Sequence, residues 1–281
     1  MRVTFCGTRG STPAPGLDYV RFGGHTSCVA VSHDDDSSGP TLLLDAGTGL
    51  RRVAGLLGNL PFQGTLLLTH LHWDHVQGLP FFRAGDRDDA QVELLLPDQG
   101  DGTDPTALLA RMMSPPFFPI EPSALRGRWR FGFLPDTTFT AEGFTVLPLD
   151  IPHKGGRTLG FRISDGHSTV AYIPDHCPTA LGPGPGGIGE YHPAALLLAD
   201  DVDLLIHDAH LRAEEVEAEG SFGHAAAEYA VRLGTMAGAR QVALFHHRPE
   251  RNDTEVERTV CRFAESPVPV MGAAETLTVR L

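Results

Sequence analysis

The segment Thr65-Leu66-Leu67-Leu68-Thr69-His70-Leu71-His72-Trp73-Asp74-His75 decides how this chain reads. Its first half is a short apolar run, as expected of a buried strand. Its second half has the pattern His-x-His-x-Asp-His. In an extended chain, residues i and i+2 point to the same side, so His70 and His72 can grip one ion. Asp74 and His75 fall where a helix would begin and can turn toward a second ion close by. The plain alternative is a polar turn with surface histidines. It requires several ligand-type residues to crowd together by accident.

Working outward, further ligand-type residues stand at the ends of apolar runs. His153 closes Asp150-Ile151-Pro152-His153, Asp175 and His176 follow Ala171-Tyr172-Ile173-Pro174, and His246 and His247 follow Ala243-Leu244-Phe245. Loops at strand ends are where sites form. Any one of these residues alone reads as a cap or turn residue; with the central cluster they make a coherent set. Only one of His246 and His247 is expected to ligate, and His246, directly after the strand, is the choice.

The remaining chain alternates strand and helix patterns. Strands are expected at Arg2–Cys6, Cys28–Ser32, Thr41–Leu44, Thr65–Thr69, Val92–Leu96, Phe144–Leu149, Leu159–Ile163, Thr169–Ile173, Asp203–Ile206, Gln241–Phe245 and Thr276–Arg280. Helices are expected at Leu50–Leu57, Pro105–Met113, Ala225–Met236 and Thr254–Phe263, with Ser114–Pro119 as a loop. Both halves carry strands and helices, and no linker separates them. The expectation is an α/β fold, a four-layer αβ/βα sandwich of two mixed sheets flanked by helices, formed by residues 1–281 as a single domain.

Composition sets the outer bounds. The chain has 281 residues, 41% apolar and 20% charged, which excludes disorder and collagen-like structure. Lys plus Arg number 22 against 35 Asp plus Glu, a net charge of −13 that disfavours a basic nucleic-acid clamp. The 14 histidines stand outside that sum. No apolar run is long enough to span a bilayer, and the first residues lack a signal-peptide pattern. Cys6, Cys28, Cys177 and Cys261 form no C-x-x-C pair. A reducing, cytoplasmic location is therefore expected. Asp34-Asp35-Asp36 reads as a solvated turn.

These motifs resemble the metallo-β-lactamase fold superfamily of metal-dependent hydrolases, in its ribonuclease Z and cyclic-phosphate phosphodiesterase branch. The likeness covers nearly the whole chain. Asp45, in Leu43-Leu44-Asp45-Ala46-Gly47, resembles the aspartate that buttresses the metal loop. His70, His72, Asp74 and His75 match the main motif, His153 the third-motif histidine, Asp175 the bridging aspartate and His246 the last ligand. Phe222-Gly223-His224-Ala225-Ala226 resembles the branch's short histidine motif, and Leu204–Ala209 a segment of the same branch.

The resemblance implies two divalent ions, zinc, with manganese as the alternative. One ion takes His70, His72 and His153; the other takes Asp74, His75 and His246; Asp175 bridges them together with a water or hydroxide, the expected nucleophile. Asp74 is expected to steer the proton of that water. His224 is expected to donate to the leaving oxygen, against the reading of a helix-terminal histidine with no chemistry. Asp208 and His210 are expected to support the ligands from behind or to open a helix, His176 to lie in a loop or behind the ligands with substrate contact as the alternative, and Cys177 to be structural or to stand behind the ligands. His25 is expected to face cleft or solvent, and His33, His167 and His192 to lie on the surface.

The expected reaction is hydrolysis of a small phosphodiester, such as a cyclic nucleotide or cyclic sugar phosphate. Ribonuclease Z carries a long arm for transfer RNA between its third-motif histidine and bridging aspartate. Here His153 and Asp175 are only 22 residues apart, so transfer RNA is disfavoured. A thioester, lactone or β-lactam hydrolase is the second reading, and a non-catalytic metal-binding protein the third. A homodimer, with no membrane contact, completes the expectation.

Overall fold

The structure, a computed structural model, describes residues 1–34 and 39–281. The expected turn at Asp34-Asp35-Asp36 therefore lies, beyond Asp34, outside the described residues. The strands are β1 (Arg2–Gly7), β2 (Cys28–Ser32), β3 (Leu42–Leu44), β4 (Gln63–Leu67), β5 (Gln91–Leu96), β6 (Arg128–Phe133), β7 (Phe139–Ala141), β8 (Phe144–Asp150), β9 (Leu159–Ser164), β10 (Thr169–Ile173), β11 (Leu204–Asp208), β12 (Val242–Phe245), β13 (Val270–Gly272) and β14 (Thr278–Arg280). They form two seven-stranded sheets, ordered β14-β1-β2-β3-β4-β5-β6 and β13-β12-β11-β10-β9-β8-β7. Each sheet is mixed: β3 to β6 and β10 to β13 pair in parallel, and the other pairs are antiparallel.

Period-two burial sorts these strands into layers. Phe5, Leu42 and Leu44 of the first sheet pack against Phe144, Phe161, Tyr172, Ile206 and Phe245 of the second. The alternate residues face outward. Leu43, Leu66 and Leu94 pack under Leu50, Val53 and Phe82. Ala171, Leu205 and Leu244 pack under Leu198, Tyr229 and Leu233. Strands covered on both faces must be apolar throughout, which is why Leu42-Leu43-Leu44 and Leu204-Leu205-Ile206 are unbroken runs. The four-layer expectation is met.

Short helices cover the outer faces: α1 (Val53–Leu56), α2 (Trp73–Val76), α3 (Pro105–Ala110), α4 (Pro193–Ala199), α5 (Val216–Glu219), α6 (Ala227–Met236) and α7 (Asp253–Cys261). The last strand returns to the first sheet, pairing Arg280 with Arg2.

Several expectations need correction. β4 begins at Gln63 and ends at Leu67, so Thr69 is already loop. The sequence reading contains no β6, β7 or β13, and no α4 or α5. His33 is not a free surface residue: its ring stacks on Phe144 at 4.0 Å, and its Nε2 bonds the Glu142 carbonyl at 2.9 Å. His192 caps α4, its Nδ1 accepting from the Ala194 amide at 3.3 Å. His167 is exposed, as expected.

Candidate metal centre

Asp45 follows β3 and organises the loop after β4. It takes a left-handed backbone conformation, φ 59°, which costs energy for a non-glycine residue and is typical of functional sites. Its carboxylate accepts from the Thr69 amide at 2.7 Å, the Thr69 hydroxyl at 2.9 Å, His75 Nδ1 at 2.8 Å and the Tyr172 hydroxyl at 2.9 Å. These bonds set the imidazoles. Thr69 Oγ1 donates to Asp45, so it accepts from His70 Nδ1 at 3.1 Å, which leaves the lone pair of His70 on Nε2. His153 Nδ1 likewise donates to the Gly223 carbonyl at 2.7 Å and leaves Nε2 free.

The freed nitrogens converge. His72 Nδ1 and His153 Nε2 are 3.2 Å apart, and His70 joins them with ligand atoms within 4.8 Å of one another. His70 Nε2 is buried and has no hydrogen-bond partner. A second group holds Asp74, His75 and His246. There His246 Nε2 lies 3.0 Å from Asp74 Oδ2 and 3.4 Å from His75 Nε2. Asp175 stands between the groups. Its Oδ1 is 3.5 Å from His153 Nε2, while its Oδ2 is 2.9 Å from His75 Nε2 and 3.4 Å from His246 Nε2. One carboxylate thus offers an oxygen to each group.

This donor set fits two divalent cations. Burial, with His75 and other imidazoles nearby, holds His70 well below the usual histidine range. Burial also lowers His72 and His153, so all three stay neutral, the form that ligates a metal. In the second group burial opposes charge on His75, but Asp45, Asp74 and Asp175 outweigh it and raise its pKa well above the usual range. That group attracts positive charge, whether carried by a proton or by a metal. A nitrogen and carboxylate set without thiolates suits zinc or manganese.

Two backbone approaches hold Asp74 and His246 in place. The Ser11 amide donates to Asp74 Oδ2 at 2.7 Å. A Cβ on Gly10 would lie 2.3 Å from His246 Nδ1, so only glycine lets that loop close over the ring.

Beside the metal groups, Asp208 ends β11. It accepts from His224 Nδ1 and the Ala225 amide, each at 3.1 Å, and from the His176 amide at 3.1 Å. Burial opposes charge on both partners, but their mutual attraction prevails: Asp208 is pulled down to about 2 and His224 pushed up to about 9. His210 stacks on His224 at 4.3 Å. His72, Asp74, His153, His210 and His224 line one cleft of about 540 Å³.

All seven expected ligands, His70, His72, Asp74, His75, His153, Asp175 and His246, are therefore brought together, with His224 beside them. His247 is not: its Nε2 bonds the Ala273 carbonyl at 2.9 Å, away from the cluster. His176 is buried against His207 at 3.1 Å, and Cys177 is buried near the Gly220 carbonyl. His25 lines a separate groove with Arg52 and Glu275. The sequence reading underrated Asp208, which anchors His224, and His210, which lines the cleft. The signal was present: His207-Asp208-Ala209-His210 closes a buried strand, near the strand ends where the other candidate segments stand.

The model of one family, described as the beta-lactamase superfamily domain, matches residues 41–247. A ribonuclease Z of Salinibacter ruber is 26% identical over 300 residues, covering 90% of this chain and 88% of that protein. Among solved structures, the metallo-beta-lactamase fold protein YhfI from Bacillus subtilis superposes with a TM-score of 0.71 at 20% identity, covering 99% of each chain. A diphosphatase from the PhnP family superposes with a TM-score of 0.66 at 17% identity, covering 100% of this chain and 97% of that one.

Proposed function

We infer the function from one premise: the chain belongs to the beta-lactamase superfamily. We propose a hydrolase that uses two divalent metal ions to cleave a small phosphodiester, such as a cyclic nucleotide or a cyclic sugar phosphate. The observation that carries this reading is the position of Asp175, whose two oxygens face two different ligand groups. His70, His72 and His153 would hold one ion and Asp74, His75 and His246 the other, with Asp175 placed to contribute to both groups. Two such ions, when bound, supply Lewis acidity that acidifies water and offsets charge on a phosphoryl group.

The chain's own residues do the rest. Asp45 and Gly223 hold the imidazole tautomers. Asp74 is placed to steer a proton, its Oδ2 anchored by the Ser11 amide. Asp208 bonds His224 Nδ1, which leaves Nε2 to hold a proton for a leaving oxygen. Zinc is the proposed metal, with manganese as the alternative.

Ribonuclease Z is the name of the Salinibacter relative, but we propose a smaller substrate than transfer RNA. The net charge of −13 opposes a long polyanion. The stretch between His153 and Asp175 is taken up by the paired strands β9 and β10, which leaves no inserted arm there. Residues 1–281 are treated as a single domain, supported by the return of β14 to β1 and by a core shared between the sheets. Four free cysteines fit a cytoplasmic setting. No helix among the described residues is long and apolar enough to cross a membrane.

The test is turnover by the zinc- or manganese-loaded protein of bis(p-nitrophenyl) phosphate, a cyclic nucleotide, a lactone and nitrocefin. Phosphodiester turnover is expected. Turnover of the lactone or nitrocefin alone would replace this reading by the carbonyl-directed one, and no turnover with metal bound would favour a binding protein.

A further inference from the structure

We propose that Trp73 and Phe222 form an aromatic clamp at the mouth of the metal cleft, so that the substrate is a phosphodiester bearing a planar aromatic group. This inference rests on the phosphodiesterase reading and narrows it.

Three observations carry the inference. First, Trp73 is 75% exposed and Phe222 is 62% exposed, and two exposed aromatic side chains at one cleft form a patch where a single one would carry no meaning. Second, both line the cleft that holds His72, Asp74 and His153. Trp73 stands between the ligands His72 and Asp74 in sequence, and Phe222 two residues before His224. The aromatic faces are thus tied to the site by the backbone that carries its chemistry. Third, no Arg or Lys lines that cleft among the described residues. Lys154, the chain's one lysine, is exposed beside His153 but outside the lining.

The third observation decides the substrate class. A site for an RNA strand or a polyphosphate needs cations along its length. Here metal ions would supply the positive charge for one phosphoryl group, and the rest of the wall sets Leu71, Trp73 and Phe222 beside Ser11, His210 and His224. Such a wall gains from a flat, polarisable ring, because aromatic faces stack on nucleobases and aryl groups with little demand for hydrogen bonding. The cleft volume of about 540 Å³ lies in the range of small-molecule sites. The structure therefore favours a mononucleotide-like ester over a sugar phosphate without a base.

The experiment compares two monophosphates of the same sugar, AMP and ribose 5-phosphate, by calorimetry on the zinc-loaded protein. Wild type should bind AMP about ten-fold more tightly, and Trp73→Ala with Phe222→Ala should erase that preference while leaving ribose 5-phosphate affinity unchanged. On bis(p-nitrophenyl) phosphate the same variant should raise KM about ten-fold with little change in kcat. Both side chains are exposed, so the substitutions leave the core untouched. Equal affinity for the two ligands in wild type, or a preference for AMP that survives in the variant, overturns the clamp while the phosphodiesterase reading stands. Failure of both ligands to bind while bis(p-nitrophenyl) phosphate is still turned over overturns the clamp alone, and absence of that turnover overturns the phosphodiesterase reading and the clamp with it.

Discussion

His75 Nδ1 lies 2.8 Å from Asp45 Oδ2, and both side chains are fully buried. This bond turns Nε2 of the same ring toward Asp175 and His246, so Asp45 acts on the site without entering it. Asp45→Asn keeps the shape but loses the charge and can present an amide donor to Nδ1. Metal affinity should fall roughly 10- to 100-fold, as for other outer-shell ligand partners. Competition with a chromophoric chelator measures it, and unchanged affinity would remove Asp45 from the account.

Asp208 gives a pH prediction. Its carboxylate favours the charged form of His224, which stands at about 9 although burial opposes it. Without that carboxylate the His224 pKa falls, and its proton is lost at lower pH. Asp208→Asn should therefore move the alkaline limb of the pH–rate profile downward. A limb that stays in place would mean that another group titrates there.

Metal loss and rate loss should separate by residue. Asp175→Ala and His72→Ala should lose metal and activity together. His224→Ala should keep both ions and lose about 10²- to 10⁴-fold in rate, the usual range for a general acid. Elemental analysis alongside turnover checks the pair. An unchanged rate in His224→Ala removes its proposed role.

Arg9 tests the scaffold. It is fully buried, with Nε donating to the Gly23 carbonyl at 2.6 Å, Nη1 to the Arg251 carbonyl at 2.6 Å, and Nη2 at 3.5 Å from Asp253. These contacts tie the loop after β1 to the entry of α7. Arg9→Met leaves the Gly23, Arg248 and Arg251 carbonyls and Asp253 without their cation, so unfolding in urea should show a loss of about 3–5 kcal/mol. A loss below about 1 kcal/mol would show that water replaces the guanidinium.

The legibility of this fold followed burial on both faces. Leu42–Leu44 and Leu66–Leu68 announced strands because each face of each strand meets a layer. Edge strands gave weaker signals. β6, Arg-Trp-Arg-Phe-Gly-Phe, alternates polar and aromatic residues at a sheet edge and also holds a glycine. β7 and β13 have three residues each and, unlike the equally short β3, no unbroken leucine run to announce them. The candidate ligands were legible because they stand directly after apolar strands. The partners of His224 were not, since Asp208 reaches it across a gap of 16 residues. His33 found its partner only through tertiary contact, with Phe144, whereas His192 caps α4 locally, two residues from the Ala194 amide, and was missed because that helix was not expected.

The central claim is a two-metal phosphodiesterase, and titration of the metal-free protein with zinc tests it most directly. Turnover of bis(p-nitrophenyl) phosphate is followed as ions are added. Activity should rise to a plateau at two equivalents per chain. A plateau at one equivalent, or two tightly bound ions with no phosphodiester turnover, would contradict the account.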